Sequence, residues 1–448
     1  MNETTRTDEL LEMARKHLIR FHPVEKEGPI IARGLGSKVW DVEGNEYIDF
    51  VSGQISATIG HNHPRIVEAM VRAGEKMIHS SKWLLQEESI LFAERMARHL
   101  PESLTKMIFK NSGTEANEAA LHMAKMHTGN WEVVSIDRSF FGNTAQSRSN
   151  TFVLGHRGLG KGNAYGPQMP GSYALPIPYC FRCPLRLKFP SCEFACAELG
   201  FELFDSQSNG YPAAVIAEPL MSAAGIIEPP PGYFELLRKK ADERGMKVIY
   251  DESQTAFGRI GTMFAFENHV APDFLVLAKA MGGGAALSCM ATSAEIEQDA
   301  FEKGWTGGST HSNDPLVCAM GMAVLEVVQE ERLPEQALEK GSFLVEQFRS
   351  MADRFEQIGD IRGRGLLLGI EFVTDRDTRA PADELGKKFS QACLERGLII
   401  SIIRMPGLNS VCRMAPPLTI GQEEMDRALA IMEDALVEVT GARPGSAG

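Results

Sequence analysis

No stretch of this chain reaches the run of about 20 apolar residues that spans a bilayer. A membrane partner is therefore not expected. Positive charge is also short: 46 Lys and Arg face 59 Asp and Glu, a net charge of −13. A nucleic-acid binder would carry basic stripes, so that class is excluded as well. The N-terminal MNETTRTDELLEMARKH is polar and amphipathic and lacks a signal-like apolar core. A cytoplasmic location is the expectation. No internal repeat is visible.

A disulfide framework is equally out of place in a cytosolic chain. Of the eight cysteines, Cys289, Cys318, Cys393 and Cys412 sit in apolar contexts and read as small core residues. The other four cluster as Cys180-x2-Cys183-x8-Cys192-x3-Cys196. Four thiolates in short pairs can close a cage around zinc or iron–sulfur. The same residues also fit a reduced loop rich in proline (Pro176, Pro178, Pro184, Pro190). The spacing is not that of a standard zinc ribbon, and nothing else in the chain asks for a metal, so no metal ligands are assigned.

What is present is an ordinary globular composition, 44% hydrophobic and 23% charged over 448 residues. That length supports a large core and two domains. A helix is expected over residues 8–20, then a hairpin from Gly36 to Phe50 that turns at Glu43-Gly44-Asn45. From about Asn62, helices alternate with short buried strands. The expected strands are Lys106–Lys110, Glu132–Ile136, Ala213–Glu218, Val248–Tyr250, Phe274–Ala278 and Ser288–Thr292. Helices over Ala116–Thr128 and Tyr233–Arg244 lie between them. Such alternation implies an α/β fold with a mainly parallel, doubly wound sheet, whose ligand sits at the carboxyl ends of the strands. A long helix around Asp314–Glu330 closes this part. Beyond it, strands near Arg364–Phe372 and Gly397–Ile403 mix with helices as a smaller α+β domain. The expected division is an N-terminal helix and hairpin (1–60) joining the small domain, a large domain (61–330), the small domain proper (331–440) and a disordered tail (441–448).

Chemistry concentrates at the strand ends. Lys279 ends an apolar run and is followed by Gly282-Gly283-Gly284. A lysine there is costly to desolvate unless it reacts or pairs, and burial makes its amine a nucleophile towards carbonyls. Asp251 ends the strand upstream. A strand-end lysine and a strand-end aspartate are what pyridoxal 5'-phosphate requires. The lysine forms the Schiff base, and the aspartate keeps the ring nitrogen protonated. Glu218 falls at a third strand end. Asn111 to Asn117 follow a strand and open a helix, so the amides of Gly113 and Thr114 fit a phosphate, or simple capping. Phe140 and Phe141 follow the next strand, where an aromatic stacks on a flat ring or joins the core.

In order, SGTEANEAA, SFFGNT, AEP, DESQT, AKAMGGG and THSNDP resemble the class III aminotransferases of fold type I over nearly the whole chain. Within that class, DFVSGQISATIGHNHP, IAEPLMSAAGIIEPPPGY, DESQTAFGRIGTMFA and VCRMAPPLT are most similar to the dialkylglycine decarboxylase group. The resemblance implies a pyridoxal phosphate enzyme with an amino donor and a keto-acid acceptor such as pyruvate, working as a homodimer or homotetramer with shared sites. Lys279 would carry the cofactor and shuttle the proton. Asp251 would pair with the ring nitrogen and Gln254 with the phenolic oxygen. Phe140 and Ser253 would cover the ring's two faces. Gly113 and Thr114 would hold the phosphate, helped by Thr310 of a partner subunit, while Asn117 and Glu218 complete the cofactor pocket. Arg413 would clamp the substrate carboxylate.

Gln54 matches the glutamine of the SGQ segment, which holds the carboxylate out of the ring plane and so favours CO2 loss. Lys82, followed by Trp83, stands where a serine near an alkali cation is expected, so its ammonium would replace that cation. Arg404 adds a further cation. Lys82, Arg404 and Arg413 together would suit a phosphate or phosphonate group. The readings that follow are decarboxylating transamination of a dialkylglycine-like donor, plain ω-amine or amino-acid transamination, and elimination from a phosphorylated or phosphonate amino alcohol.

Overall fold

The computed structural model describes residues 5–19, 28–152, 167–403 and 408–441. A seven-stranded sheet is the centre of the molecule. From edge to edge its strands are Lys106–Lys110, Ser288–Thr292, Phe274–Leu277, Lys247–Asp251, Pro212–Ala217, Glu132–Ile136 and Ser172–Leu175. Only Ser288–Thr292 runs antiparallel to its neighbours. The other pairings are parallel. Phe274–Leu277 and Glu132–Ile136 are buried at every position. Such unbroken burial is the signature of strands covered on both faces, which is why they read as apolar runs rather than alternations. The expected α/β class therefore holds, with a mostly parallel sheet.

Capping residues set the helices that matter for the site. Helix Gly113–Thr128 opens at Ser112, whose hydroxyl accepts from the Glu115 amide at 3.3 Å, and it closes at Gly129 in the left-handed region. Pro315 follows the N-cap Asp314 of helix Pro315–Glu330, a position where a missing N–H costs nothing.

Two smaller sheets lie outside this core. One joins strands Ile31–Leu35, Lys38–Asp41 and Glu46–Asp49 to Leu398–Ile399, which pairs in parallel with the last of them. The other orders Ile358–Arg364, Leu367–Asp375, Val411–Met414 and Ser401–Ile402. The expected strand Arg364–Phe372 is thus the second arm of a hairpin, because Gly365 turns the chain with φ of 56°. The expected strand Gly397–Ile403 divides between the two sheets, breaking at Ile400. Strands Ile31–Leu35, Ser172–Leu175 and Val411–Met414 were not anticipated as strands. No described helix is long and apolar enough to cross a membrane. Arg404, and the tail beyond Gly441, lie outside the described residues.

Candidate active site

Three adjacent strands deliver the chemistry to one place. Asp251 is the last residue of Lys247–Asp251, Glu218 follows Pro212–Ala217, and Lys279 lies two residues past Phe274–Leu277. Parallel neighbours put their carboxyl ends side by side, so residues distant in sequence converge there. Lys279 adopts φ of 45°, a conformation uncommon for a side chain with a Cβ. That kink starts a short 3-10 turn running Lys279–Gly282.

All three border a cavity of about 340 Å³. Asn117, from the helix Gly113–Thr128, donates through Nδ2 to Asp251 Oδ2 at 2.6 Å and to the Phe141 carbonyl at 2.9 Å. The Ser253 amide donates to the other Asp251 oxygen at 2.8 Å. Asp251 is therefore a fixed carboxylate acceptor. Glu218 accepts from the Phe140 amide at 2.9 Å. Burial first, and the nearby Asp251 charge second, push its carboxyl up to about 8. Burial draws the Lys279 amine down, against the opposing pull of Asp251 and Glu218.

The cradle at the helix start suits an anion. Asn111, Ser112, Gly113 and Thr114 line the cavity beneath the amides that open the helix. Gly142, with φ of 144°, packs against Thr114, and a Cβ there would sit 2.6 Å from Thr114 Oγ1. Only glycine leaves that space. Ser253 Oγ and Asn117 Oδ1 are buried polar atoms without a hydrogen-bond partner among the described residues. Orphaned polar atoms around a desolvated amine are what a polar cofactor would satisfy.

Gln54 lines the same cavity from a very different scaffold. Ser52, Gly53 and Ile55 all have positive φ, at 49°, 67° and 62°. Strain of this kind persists only where the surroundings over-determine it. Asp49 accepts from the Val51 amide at 2.8 Å, the Gly53 amide at 2.7 Å and His61 Nε2 at 2.7 Å. Ser52 Oγ donates to the Ala415 carbonyl. Beneath the turn lies Arg259, fully buried. It donates to the Leu366 and Pro416 carbonyls and reaches Ser52 Oγ and Thr58 Oγ1 at 3.5 Å. Burial lowers its guanidinium to about 9.

Arg413 sits behind the cavity, with Nη1 3.4 Å from both Gln254 Oε1 and Ser222 Oγ. Its Nε is buried without a partner among the described residues. Burial lowers its guanidinium to about 10, with Glu218 opposing.

The structure thus gathers Gln54, Gly113, Thr114, Asn117, Phe140, Glu218, Asp251, Ser253, Gln254 and Lys279 on one cavity, with Arg413 touching Gln254. Three expected residues are elsewhere on this chain. Lys82 donates to the Gly308 carbonyl at 3.3 Å, Trp83 is 84% exposed, and Thr310 is exposed. None lines the cavity. They sit on surface segments, where sequence order does not fix direction. A three-cation phosphonate pocket within one chain therefore has no support from Lys82. The sequence reading also missed Ser56, Thr255 and Ala285 to Leu287 on the cavity wall. The glycine run 282–284 was the one signal for the last three, since it lets the chain double back.

A strand-end lysine, a fixed aspartate and a phosphate-ready helix start define a pyridoxal phosphate-dependent enzyme of fold type I. The family model for class III aminotransferases matches residues 23–436, and the chain belongs to that family. It is 40% identical over 425 residues to an uncharacterized aminotransferase of Schizosaccharomyces pombe, covering 94% of this chain and 93% of that protein. It is 33% identical over 422 residues to a leucine/methionine racemase of Thermococcus litoralis, covering 93% of each. Its fold is similar to the PLP-bound form of an amine transaminase from an uncultivated Pseudomonas species. That comparison gives a TM-score of 0.84 at 26% identity, over 94% of this chain and 99% of the other.

Proposed function

We propose that this chain transfers an amino group to a keto acid such as pyruvate, taking it from a dialkylglycine-like donor that loses CO2. The observation carrying this reading is that Gln54 lines the Lys279 cavity while Arg413, just behind it, touches the lining residue Gln254. The cofactor, when bound, supplies an electron sink for whichever bond at the donor carbon stands perpendicular to its ring. Everything else is orientation. Arg413 offers a guanidinium with an unpartnered Nε to a carboxylate. Gln54 offers an amide donor on a turn that cannot relax, so it holds its position against the ligand. Lys279 Nζ, with its proton affinity lowered by burial, takes and returns the proton. Asp251, fixed by Asn117, would hold the cofactor's ring nitrogen in its protonated form. Glu218, its carboxyl raised by burial, can lend or hold a proton beside it.

The test is 2-aminoisobutyrate with cofactor-loaded enzyme, first without and then with pyruvate. One CO2 per site, acetone, and alanine on adding pyruvate are expected. Alanine formed from α-amino acids or ω-amines without CO2 would sink the decarboxylation step. It would favour plain transamination, the reading suggested by the likeness to an amine transaminase.

The working unit we propose is a homodimer. Met77, Ile78, Trp83, Leu84, Leu85 and Ile90 are each at least half exposed on one contiguous stretch. An apolar surface of this kind marks an interface. Lys82 and Thr310 would face a neighbouring site across it. Sedimentation at micromolar concentration tests this, and a monomer would refute it.

A further inference from the structure

Residues 176–194 join strand Ser172–Leu175 to helix Ala195–Gln207 without any helix or strand of their own. An irregular connection of this length within a compact domain needs something to hold it. The segment is nonetheless firmly anchored. Arg182 pairs with Glu371, a fully buried carboxylate on strand Leu367–Asp375. Tyr179 donates to the same carboxylate, and Arg362 Nη1 lies 2.6 Å from it. Arg379 donates to the Phe181 carbonyl at 2.5 Å. The segment therefore bridges the edge of the large sheet and the small one.

Three of the four clustered cysteines lie in it, and the fourth, Cys196, follows in the next helix. Cys180, Cys183, Cys192 and Cys196 all line one cavity, with Leu185, Leu187 and Phe194 among the apolar neighbours. The cavity measures about 20 Å³. That is room for one water-sized sphere, and the apolar lining offers a water few hydrogen bonds. No residue lines both this cavity and that of Lys279. Cys196 lies in the first turn of helix Ala195–Gln207, whose opening amides have no side-chain cap. Burial outweighs that helix start and pushes the Cys196 thiol up to about 11.

We propose that Cys180, Cys183, Cys192 and Cys196 bind one structural Zn2+ as four thiolates, clamping segment 176–194 between the two sheets. Two short-spaced pairs supply four soft ligands, and the cavity admits one ion rather than a multi-atom cluster. The sulfurs stand open: no three of them lie within 4.8 Å of one another. Tetrahedral thiolates at about 2.3 Å from zinc are roughly 3.8 Å apart, so binding requires the four side chains to draw in around the ion. Binding exchanges the four thiol protons, released to the buffer, for one divalent ion. With every position filled by protein, the site has no open coordination for catalysis.

The experiment is elemental analysis of the full cofactor-loaded chain, purified under reducing conditions without chelator. About one zinc per chain is expected, released in step with mercurial titration of the cluster thiols. Competitive chelation should lower the melting temperature by several degrees and open 176–194 to protease, while the cofactor's absorbance persists. Cys183→Ser should lose the zinc. If that variant does not fold, the metal content of the unmodified chain still decides. Zinc below about a tenth per chain with all eight thiols reactive in denaturant overturns the proposal. Disulfides in the cluster, or iron with acid-labile sulfide, overturn it equally.

Discussion

Asp251, Glu218 and Lys279 stand on the ends of three adjacent buried strands, each fixed by its own element. Gln54 faces the same cavity from a four-residue turn with three positive φ values, supported by Asp49, Arg259 and the Ala415 carbonyl. The floor is thus made rigid by sheet hydrogen bonds. The wall is made rigid by side chains gathered from distant parts of the chain. Damage to the floor should abolish chemistry and leave the wall intact. Damage to the wall should redirect chemistry that still occurs.

The largest effect should come from Lys279→Ala, which removes the nucleophile and the proton carrier together. Turnover should fall by about a thousandfold or more. Cofactor should still bind through the Gly113–Thr114 cradle, a result that absorbance and dialysis would check. Asp251→Asn should cost roughly a hundredfold in kcat by exchanging a fixed charge for an amide. Retention of more than half the activity would break the assignment of the floor.

Gln54→Ala sharpens the comparison from the other side. It should lower the share of turnovers releasing CO2 by about tenfold, the size of one lost oriented hydrogen bond. The amination half-reaction with pyruvate should change far less. Asp49→Ala frees the Val51 and Gly53 amides and His61. It should cost about 2 kcal/mol of stability by denaturant titration and shift product partition in the same direction as Gln54→Ala. Partition unchanged despite the lost stability would separate the turn from the chemistry.

The last prediction concerns pH. Glu218 titrates near 4.5 when unfolded and at about 8 in the folded apoprotein. The folded state holds the extra proton between those values. Its stability should therefore fall as pH rises through that window, by at most about 1.4 kcal/mol per unit for this group. Below the window the group contributes no slope. Glu252, at about 7, adds to the decline. Glu218→Gln should flatten melting temperature against pH, and an unchanged slope would refute the shift.

The floor could be read from the sequence because parallel strands turn a linear pattern into a spatial one. An apolar run that stops at a charged residue is already a strand end. The wall could not. Gln54 was singled out by resemblance alone, and neither the strain nor Arg259 beneath it leaves a local mark. Leu398–Ile399 and Ser401–Ile402 read as one strand because nothing local tells which sheet each half joins. Lys82, Trp83 and Thr310 lie on exposed segments, whose direction depends on what covers them.

The turn's dependence on Ala415 and Pro416 orders events during synthesis. Strand Glu46–Asp49 gains its second neighbour only with Leu398–Ile399, and the turn beyond it its supports only with residues 415 and 416. A nascent chain that has exposed Lys279 and the strands around it already owns a place for the cofactor. If Gln54 plays its proposed role, the chain should gain its means of choosing a substrate only when almost its whole length has left the ribosome. The contacts of longest sequence separation are also the slowest to form. On that proposed role, selectivity should be the last property this chain acquires and the first it loses when its C-terminal region comes loose.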